Sequence, residues 1–251
     1  MKTLFFSATG NNLYLANRIG GERYSIPKLI KEEQFEFEDD RIGIVFPVYG
    51  AGIPSIIVEF LKKAKIKSNY VFAVMSYGRI SGSVVSQLLE IGQKNGIAFS
   101  YINKIIMVDN YLPGFDMKKE IEDEPKKNIE KNLDKIVKEI NAQTKYIKND
   151  SVFTKILTKS FRAIVGKRVL ISDKNFTIED TCNGCNVCTK VCPVENIELI
   201  NKKPVYKGKC ISCLACTQNC PNNAIRLKGE KSKARFINQN VTVKDIINAN
   251  D

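Results

Sequence analysis

The sequence predicts an α/β protein, a doubly wound parallel sheet followed by a smaller α+β domain. Three observations lead there. Short apolar runs at residues 42–48, 70–76 and 104–108 alternate with stretches of helical periodicity, the pattern of strands buried on both faces with helices packed over them. All eight cysteines lie between Cys182 and Cys220, in about forty residues of a 251-residue chain. Within that segment one spacing, C-x2-C-x2-C-x3-C-P, occurs twice at an offset of 28 residues, so the second domain is built on an internal repeat.

Taken in order, residues 2–7 (KTLFFS) read as a strand and the polar turn ATGNN follows at once. Leu13, Ala16 and Ile19 then share the inner face of a helix. Further helices are expected over 54–64 and 82–92. A long one is expected over 118–148, with Ile121, Ile129, Leu133, Ile136, Val137 and Ile140 near helical spacing and a Lys/Glu/Asp/Asn-rich outer face. Residues 151–165 form a second amphipathic candidate. Val152, Phe153, Ile156, Leu157, Phe161, Ile164 and Val165 make its apolar side, and Lys155, Lys159 and Arg162 lie elsewhere. The expected role is a connector packed between domains, ahead of a partner-docking or membrane-surface helix. Residues 236–251 are expected to add a strand and a short capping helix. The division is then 1–149, a connector at 150–170, the cysteine domain at 171–230 and an extension at 231–251.

The two runs are Cys182, Cys185, Cys188, Cys192 with Pro193, and Cys210, Cys213, Cys216, Cys220 with Pro221. Three thiolates at this interval wrap three corners of a cubane, and the fourth corner takes a thiolate from the other run. The predicted sets are Cys182, Cys185, Cys188 and Cys220 for one [4Fe–4S] cluster, and Cys210, Cys213, Cys216 and Cys192 for the other. Zinc competes, because C-x2-C pairs fit a tetrahedral ion, but each pair here is extended by a third cysteine at the same interval. A disulfide scaffold also gives an even count, yet no signal segment accompanies it. Val187, Val191, Ile211, Leu214, Ala215 and Ile225 are the expected apolar shell. Flanking the loops, Phe176 and Ile178 correspond to Pro204 and Tyr206, and Ile197 and Leu199 to Ile225 and Leu227.

Histidine is absent. That excludes histidine zinc sites, Rieske centres, histidine-ligated haem and Ser–His–Asp or Cys–His catalysis. The formal charge of +12 falls to about +8 once eight thiolates and two cluster cores are counted. A basic surface favours an acidic partner. No apolar run is long enough to span a bilayer, and cluster thiolates need a reducing compartment, so a cytoplasmic location is expected.

The turn at Ser7, Thr9, Gly10, Asn11 and Asn12 joins a strand to a helix, the geometry that offers backbone N–H groups to a phosphate. Neither GK[ST] nor G-x-G-x-x-G is present, which points to a mononucleotide rather than a triphosphate or dinucleotide. Ligands of such sheets sit beyond the carboxyl ends of the strands. The loops expected there are 7–12, 47–54, 76–82 and 109–114, and three of them bring a tyrosine among glycines (Tyr49, Tyr77, Tyr111).

On these motifs the first 145 residues resemble flavodoxins, whose S/T-x-T-G-N-[ST] loop holds the FMN phosphate. Asn12 stands where that pattern has a hydroxyl. The resemblance implies that Pro47, Val48, Tyr49 and Gly50, with Ser76, Tyr77 and Gly78, form the flavin loops. The segment 176–227 resembles the bacterial two-cluster ferredoxins. The whole chain is similar to the fused flavodoxin–ferredoxin proteins of anaerobic bacteria, with a flavodoxin-like sheet domain and a dicluster ferredoxin domain. The implied function is an electron relay between two [4Fe–4S] clusters and FMN, exchanging with a redox protein of acidic surface such as ferredoxin or an oxidoreductase. Bound FMN takes the charge to about +6. The alternative is an FMN-dependent reductase of a quinone or nitro compound, in which a tyrosine or water would supply protons. No nucleic-acid-binding motif is visible, and a homo-oligomer is compatible with the sequence.

Overall fold

The computed structural model describes residues 1–169 and 171–251, with no side-chain description at 164–169. The first part runs β1 (Lys2–Phe5), α1 (Asn11–Ile19), β2 (Glu22–Ser25), α2 (Ile26–Lys31), β3 (Glu36–Glu38), β4 (Arg41–Pro47), α3 (Ser55–Lys63), β5 (Lys65–Lys67), β6 (Tyr70–Tyr77), α4 (Val84–Lys94), β7 (Tyr101–Ile106), α5 (Met117–Glu122), α6 (Ile129–Asn141) and β8 (Tyr146–Ile147). Six strands make one sheet in the order β2-β1-β4-β6-β7-β8, every pairing parallel. The chain steps from β1 out to β2 and returns to β4 on the other side of β1. The strand order therefore reverses between β1 and β4, where a crevice opens beyond the strand ends.

The core follows from the apolar runs. Ile42, Ile44, Val45 and Phe46 of β4 and residues 70–75 of β6 are buried. Burying a side chain of the size of Phe72 contributes about 2–3 kcal/mol. Its ring lies over Gly43, where a Cβ would stand 2.1 Å from it, so only glycine permits that pairing. Tyr14 and Arg18 of α1 both bond Glu130 of α6, and Arg18 also reaches Asp134, which pins the two helices together.

Several expectations change. Strand β7 starts at Tyr101, three residues before the apolar run at 104–108, because Tyr101 and Ile102 are the residues that pair with β8. The single helix expected over 118–148 is broken. A 3-10 turn at Glu124–Lys127 follows Asp123, Pro125 lies in it, and Asn128 adopts a left-handed φ of 49° before α6 begins. Proline removes an N–H that a continuous helix would need. Ile129, Leu133, Ile136 and Ile140 face the sheet as expected, whereas Ile121 is exposed. Strand β2 (ERYS) has too little apolar content to be read locally; pairing with β1 makes it.

Helix α7 (Val152–Val169) spans the expected connector, and its packing is the reverse of that expected. Thr158 is buried, its Oγ1 accepting from the Ser83 N–H at 3.0 Å, and Arg162 donates to Gln87 Oε1 at 2.7 Å. Val152, Phe153, Ile156, Leu157 and Phe161 are exposed. Ile164 and Val165, and Leu170 at the end of the expected connector, lie outside the described residues and side chains. Among the described residues no helix is long and apolar enough to cross a membrane.

The second part runs β9 (Phe176–Ile178), α8 (Val187–Lys190), β10 (Ile197–Ile200), β11 (Lys203–Tyr206), α9 (Ala215–Gln218), β12 (Ile225–Leu227) and α10 (Val243–Asn250). It forms two antiparallel hairpins, β9 with β12 and β10 with β11. Each hairpin thus takes one strand from each repeat, and this interleaving carries the end of each cysteine run towards the start of the other. The expected strand within 236–251 is absent; α10, capped by Thr242, is present.

Candidate functional site

The turn after β1 is largely enclosed. Gly10 takes a left-handed φ of 90° and caps α1, and Ser7, Thr9, Asn11 and Asn12 are buried. Thr9 Oγ1 accepts from Asn110 Nδ2 at 2.6 Å. Asn11 donates through Nδ2 to the Val108 carbonyl at 3.3 Å and accepts from Asn238 Nδ2 at 3.1 Å. Its amide holds the loop in shape, and the residue also lines the cavity onto which the turn opens. Ser7 Oγ and Asn12 Oδ1 are buried and have no partner, which is costly unless a ligand supplies one.

These residues open on a cavity of about 1040 Å³, at the upper end of the range for cofactor sites. It is lined by Ser7, Thr9, Asn11 and Asn12, by Pro47, Val48, Tyr49 and Gly50, by Ser76, Tyr77 and Gly78, and by Tyr111. Every predicted flavin-loop residue except Gly10 meets there. Gly10 instead faces the C-terminal extension, a Cβ on it standing 3.1 Å from the Cβ atoms of both Asn238 and Val241. Part of the lining comes from the second cysteine run, residues 210–212 and Leu214.

The tyrosines differ in setting. Tyr49 packs edge-on to Phe6 at 6.2 Å, and its hydroxyl is buried with no partner. Burial and the nearby Cys213 push its phenol pKa well above the ordinary value. Burial also raises Tyr77 and Tyr111.

Two acidic residues at this site escaped the sequence reading. Asp109 lines the cavity, accepts from the Tyr111 N–H at 3.1 Å, and fills the space beside Gly78, where a Cβ would meet it at 2.2 Å. Burial raises its pKa. Glu120 is buried and holds Arg79 through Nε and Nη2 at 2.9 and 2.6 Å, with Lys127 at 3.3 Å; Arg79 also lies 4.9 Å over the Phe115 ring. An Asp-Asn turn directly after a strand was the one local signal for Asp109. Glu120 sits in a run that reads as solvated helix.

An acid whose pKa is higher folded than unfolded retains protons longer in the native state, so its contribution to stability falls as pH rises through that interval. Asp109→Asn is therefore expected to melt above the parent at pH 8 and level with it at pH 4, both without flavin. A parent and variant that differ equally at both values would show that the carboxylate is not the cause.

The structure brings the cysteines together in the two crossed groups. Cys182, Cys185, Cys188 and Cys220 line one pocket with Leu199 and Ile225. Burial pushes the Cys188 thiol up to about 11, and Cys185, Cys220 and Cys182 add like-charge repulsion. Cys213, raised further by burial, feels Cys192, Cys216 and Cys210. Backbone N–H groups of Asn196, Ala224 and Ser212 donate to the sulfurs of Cys192, Cys220 and Cys210 at 3.2, 3.2 and 3.4 Å. Val191, Leu214, Ala215 and Ile225 are buried around them, with Val187 and Ile211 half-buried.

The repeat extends to the backbone. Gly184 and Ser212, Asn186 and Leu214, and Glu195 and Asn223 are pairs 28 residues apart that all adopt positive φ. Ser212, Leu214 and Glu195 each cost about 1–2 kcal/mol in that conformation, which asparagine adopts more readily. Among the described residues no group of three ligands closes tightly enough for a single metal ion.

The extension, which carried little functional signal, fastens the two parts together. The Asn238 N–H donates to Thr9 O at 2.9 Å, and Asn219 Nδ2 to Ala8 O at 3.0 Å. Gln218 donates to Asn110 O at 2.9 Å and accepts from the Phe236 N–H at 2.9 Å. The basic run at 226–235 is not simply a solvated face. Arg226 and Arg235 both pair with Glu230, and all three are mostly enclosed.

Residues 174–221 match the family model of the 4Fe-4S dicluster domain. This part of the chain is an iron–sulfur-binding region, and electron transfer is its general chemistry. No curated protein matches the sequence. Among solved structures, rubredoxin oxygen:oxidoreductase from the anaerobe Desulfovibrio gigas aligns over 57% of this chain and 36% of its own, with 15% identity and a TM-score of 0.34.

Proposed function

We propose that the protein is an iron–sulfur flavoprotein that relays electrons between two [4Fe–4S] clusters and FMN, and that the large cavity is the flavin site. One observation carries the reading: the cavity that collects the phosphate-type loop and the tyrosine loops is also lined by the second cysteine run. Ser7 Oγ, buried and without a partner, can donate to a phosphate oxygen, while Asn12 Oδ1, also buried and unmatched, is an acceptor and fits a donor such as a ribityl hydroxyl of the flavin. The N-terminus of α1 adds backbone N–H groups. Cofactors of this kind supply the chemistry when bound, clusters passing single electrons and a flavin taking one or two.

The chain's own residues supply order and insulation. Cys210, Cys213, Cys216 and Cys192 form the inner set beside the cavity. Cys182, Cys185, Cys188 and Cys220 form the outer set, where Cys185 is exposed and Lys202, followed by Lys203 and exposed like it, packs against the neighbouring Gly184. Lysines at that entrance favour an acidic redox protein and speed its encounter. Tyr49, between the cavity and Cys213, excludes water from the gap. Buried carbonyl and amide contacts from Gln218, Asn219 and Asn238 keep the two parts at a fixed separation.

Reduction of a small acceptor is the second reading, favoured by Asp109. A buried carboxyl on the cavity wall offers a group for proton transfer beside the proposed flavin site, a role the sequence left to a tyrosine or water. Anaerobic reconstitution with iron, sulfide and FMN tests the main reading. One flavin and two clusters per chain, with flavin reduced by electrons delivered from a ferredoxin, is the expected result. Zinc in place of iron, or no FMN retention, would overturn it.

A further inference from the structure

Helix α7 stands on its polar side and turns its apolar side outward. Val152, Phe153, Ile156 and Leu157 are 71, 69, 61 and 52% exposed, and Phe161 37%. Ile80, 68% exposed, belongs to a neighbouring loop and lines the large cavity together with Phe161. Five of the exposed large apolar residues thus lie along one side of α7, and such a patch marks a contact rather than a solvated face. The anchoring contacts, Thr158 to Ser83 and Arg162 to Gln87, are polar, so this orientation is specified by hydrogen bonds.

The charges on the helix select the occupant. Residues 151–172 contain five basic residues and no acidic one. Lys155, Lys159 and Arg162, spaced four and three apart, form a row along one flank of the stripe. Asp150, the nearest acid before the helix, is buried and paired with Lys104 at 3.1 Å. A second copy of this chain would set lysine row against lysine row on two strongly basic molecules. An anionic bilayer instead takes both features together, the apolar side chains entering the headgroup boundary while the lysines meet lipid phosphates.

We infer that α7 is a peripheral membrane anchor that seats the protein on anionic lipid. Phe161, Arg162 and Ile80 also line the large cavity, so its mouth opens at the same surface. The inference does not depend on which cofactor the cavity holds.

Sedimentation of the reconstituted protein with vesicles tests it. Binding is expected to equimolar phosphatidylglycerol and phosphatidylcholine, and not to phosphatidylcholine alone. Lys155→Gln with Lys159→Gln is expected to weaken it roughly thirtyfold, two surface charges being lost, and Ile156→Glu with Leu157→Glu to abolish it. All four side chains are exposed, and an unchanged visible spectrum and iron content verify that the variants are intact. Absence of sedimentation, equal binding to neutral vesicles, or a solution dimer dispersed by the glutamate variant would each overturn the assignment. So would binding confined to an acidic redox protein.

Discussion

Cys213→Ala, reconstituted without oxygen, is expected to hold about half the iron of the parent and to bind FMN at least roughly tenfold more weakly. Cys188→Ala is expected to lose the same share of iron and to bind FMN normally. The two thiols come from different runs of the repeat, Cys213 corresponding to Cys185 and Cys188 to Cys216, and their surroundings differ. Residues 210–212 and Leu214 line the large cavity, whereas Cys188 belongs with Cys182, Cys185 and Cys220 in a separate pocket. Without its cluster the second loop carries Ser212 and Leu214 in left-handed conformations with nothing to offset their cost of about 1–2 kcal/mol each. It then rearranges and the cavity loses that lining. Both variants should stop electrons from an external ferredoxin reaching the flavin. Iron and sulfide assays with an FMN titration decide the matter. Weaker FMN binding in Cys188→Ala but not in Cys213→Ala would invert the proposed order of the clusters.

Gly10→Val is expected to cost about 2–4 kcal/mol of stability, combining left-handed strain in a β-branched residue with an overpacked contact, and to lower FMN affinity at least a hundredfold. The position is constrained twice. Its φ of 90° is one that side chains resist, and its Cβ direction is occupied by Asn238 and Val241. Pushing the extension away also breaks the bonds from Asn238 to Thr9 O and to Asn11, so the loop that would receive the phosphate loses its support. Thermal unfolding and flavin titration measure the two effects. A variant that melts with the parent would show that the extension does not clamp this loop.

Local features of the chain made the cysteine groups and the cavity loops legible. Ligand spacing is a short-range property, and the repeat of 28 residues states which sulfurs have equivalents. The apolar runs named most of the sheet, because a strand buried on both faces needs little else. The misses have two causes. The break between α5 and α6 is local and was outweighed by the apolar spacing around Pro125. Glu120, Asn238 and strand β2 acquire their roles only from partners far away in the sequence, Arg79, Thr9 and β1 among them.

What the sequence determined by itself was the chemistry available: eight thiols in two equivalent runs, no histidine, and glycine-containing turns after apolar strands. Tertiary structure decided how those parts are arranged. Interleaved hairpins grouped the sulfurs, and the interface placed the second run, not the first, against the cavity. The direction in which α7 turns its apolar side was decided the same way. A helical periodicity shows that two unlike faces exist, but which one meets the protein depends on the groups waiting there, and here they are the Ser83 N–H and Gln87.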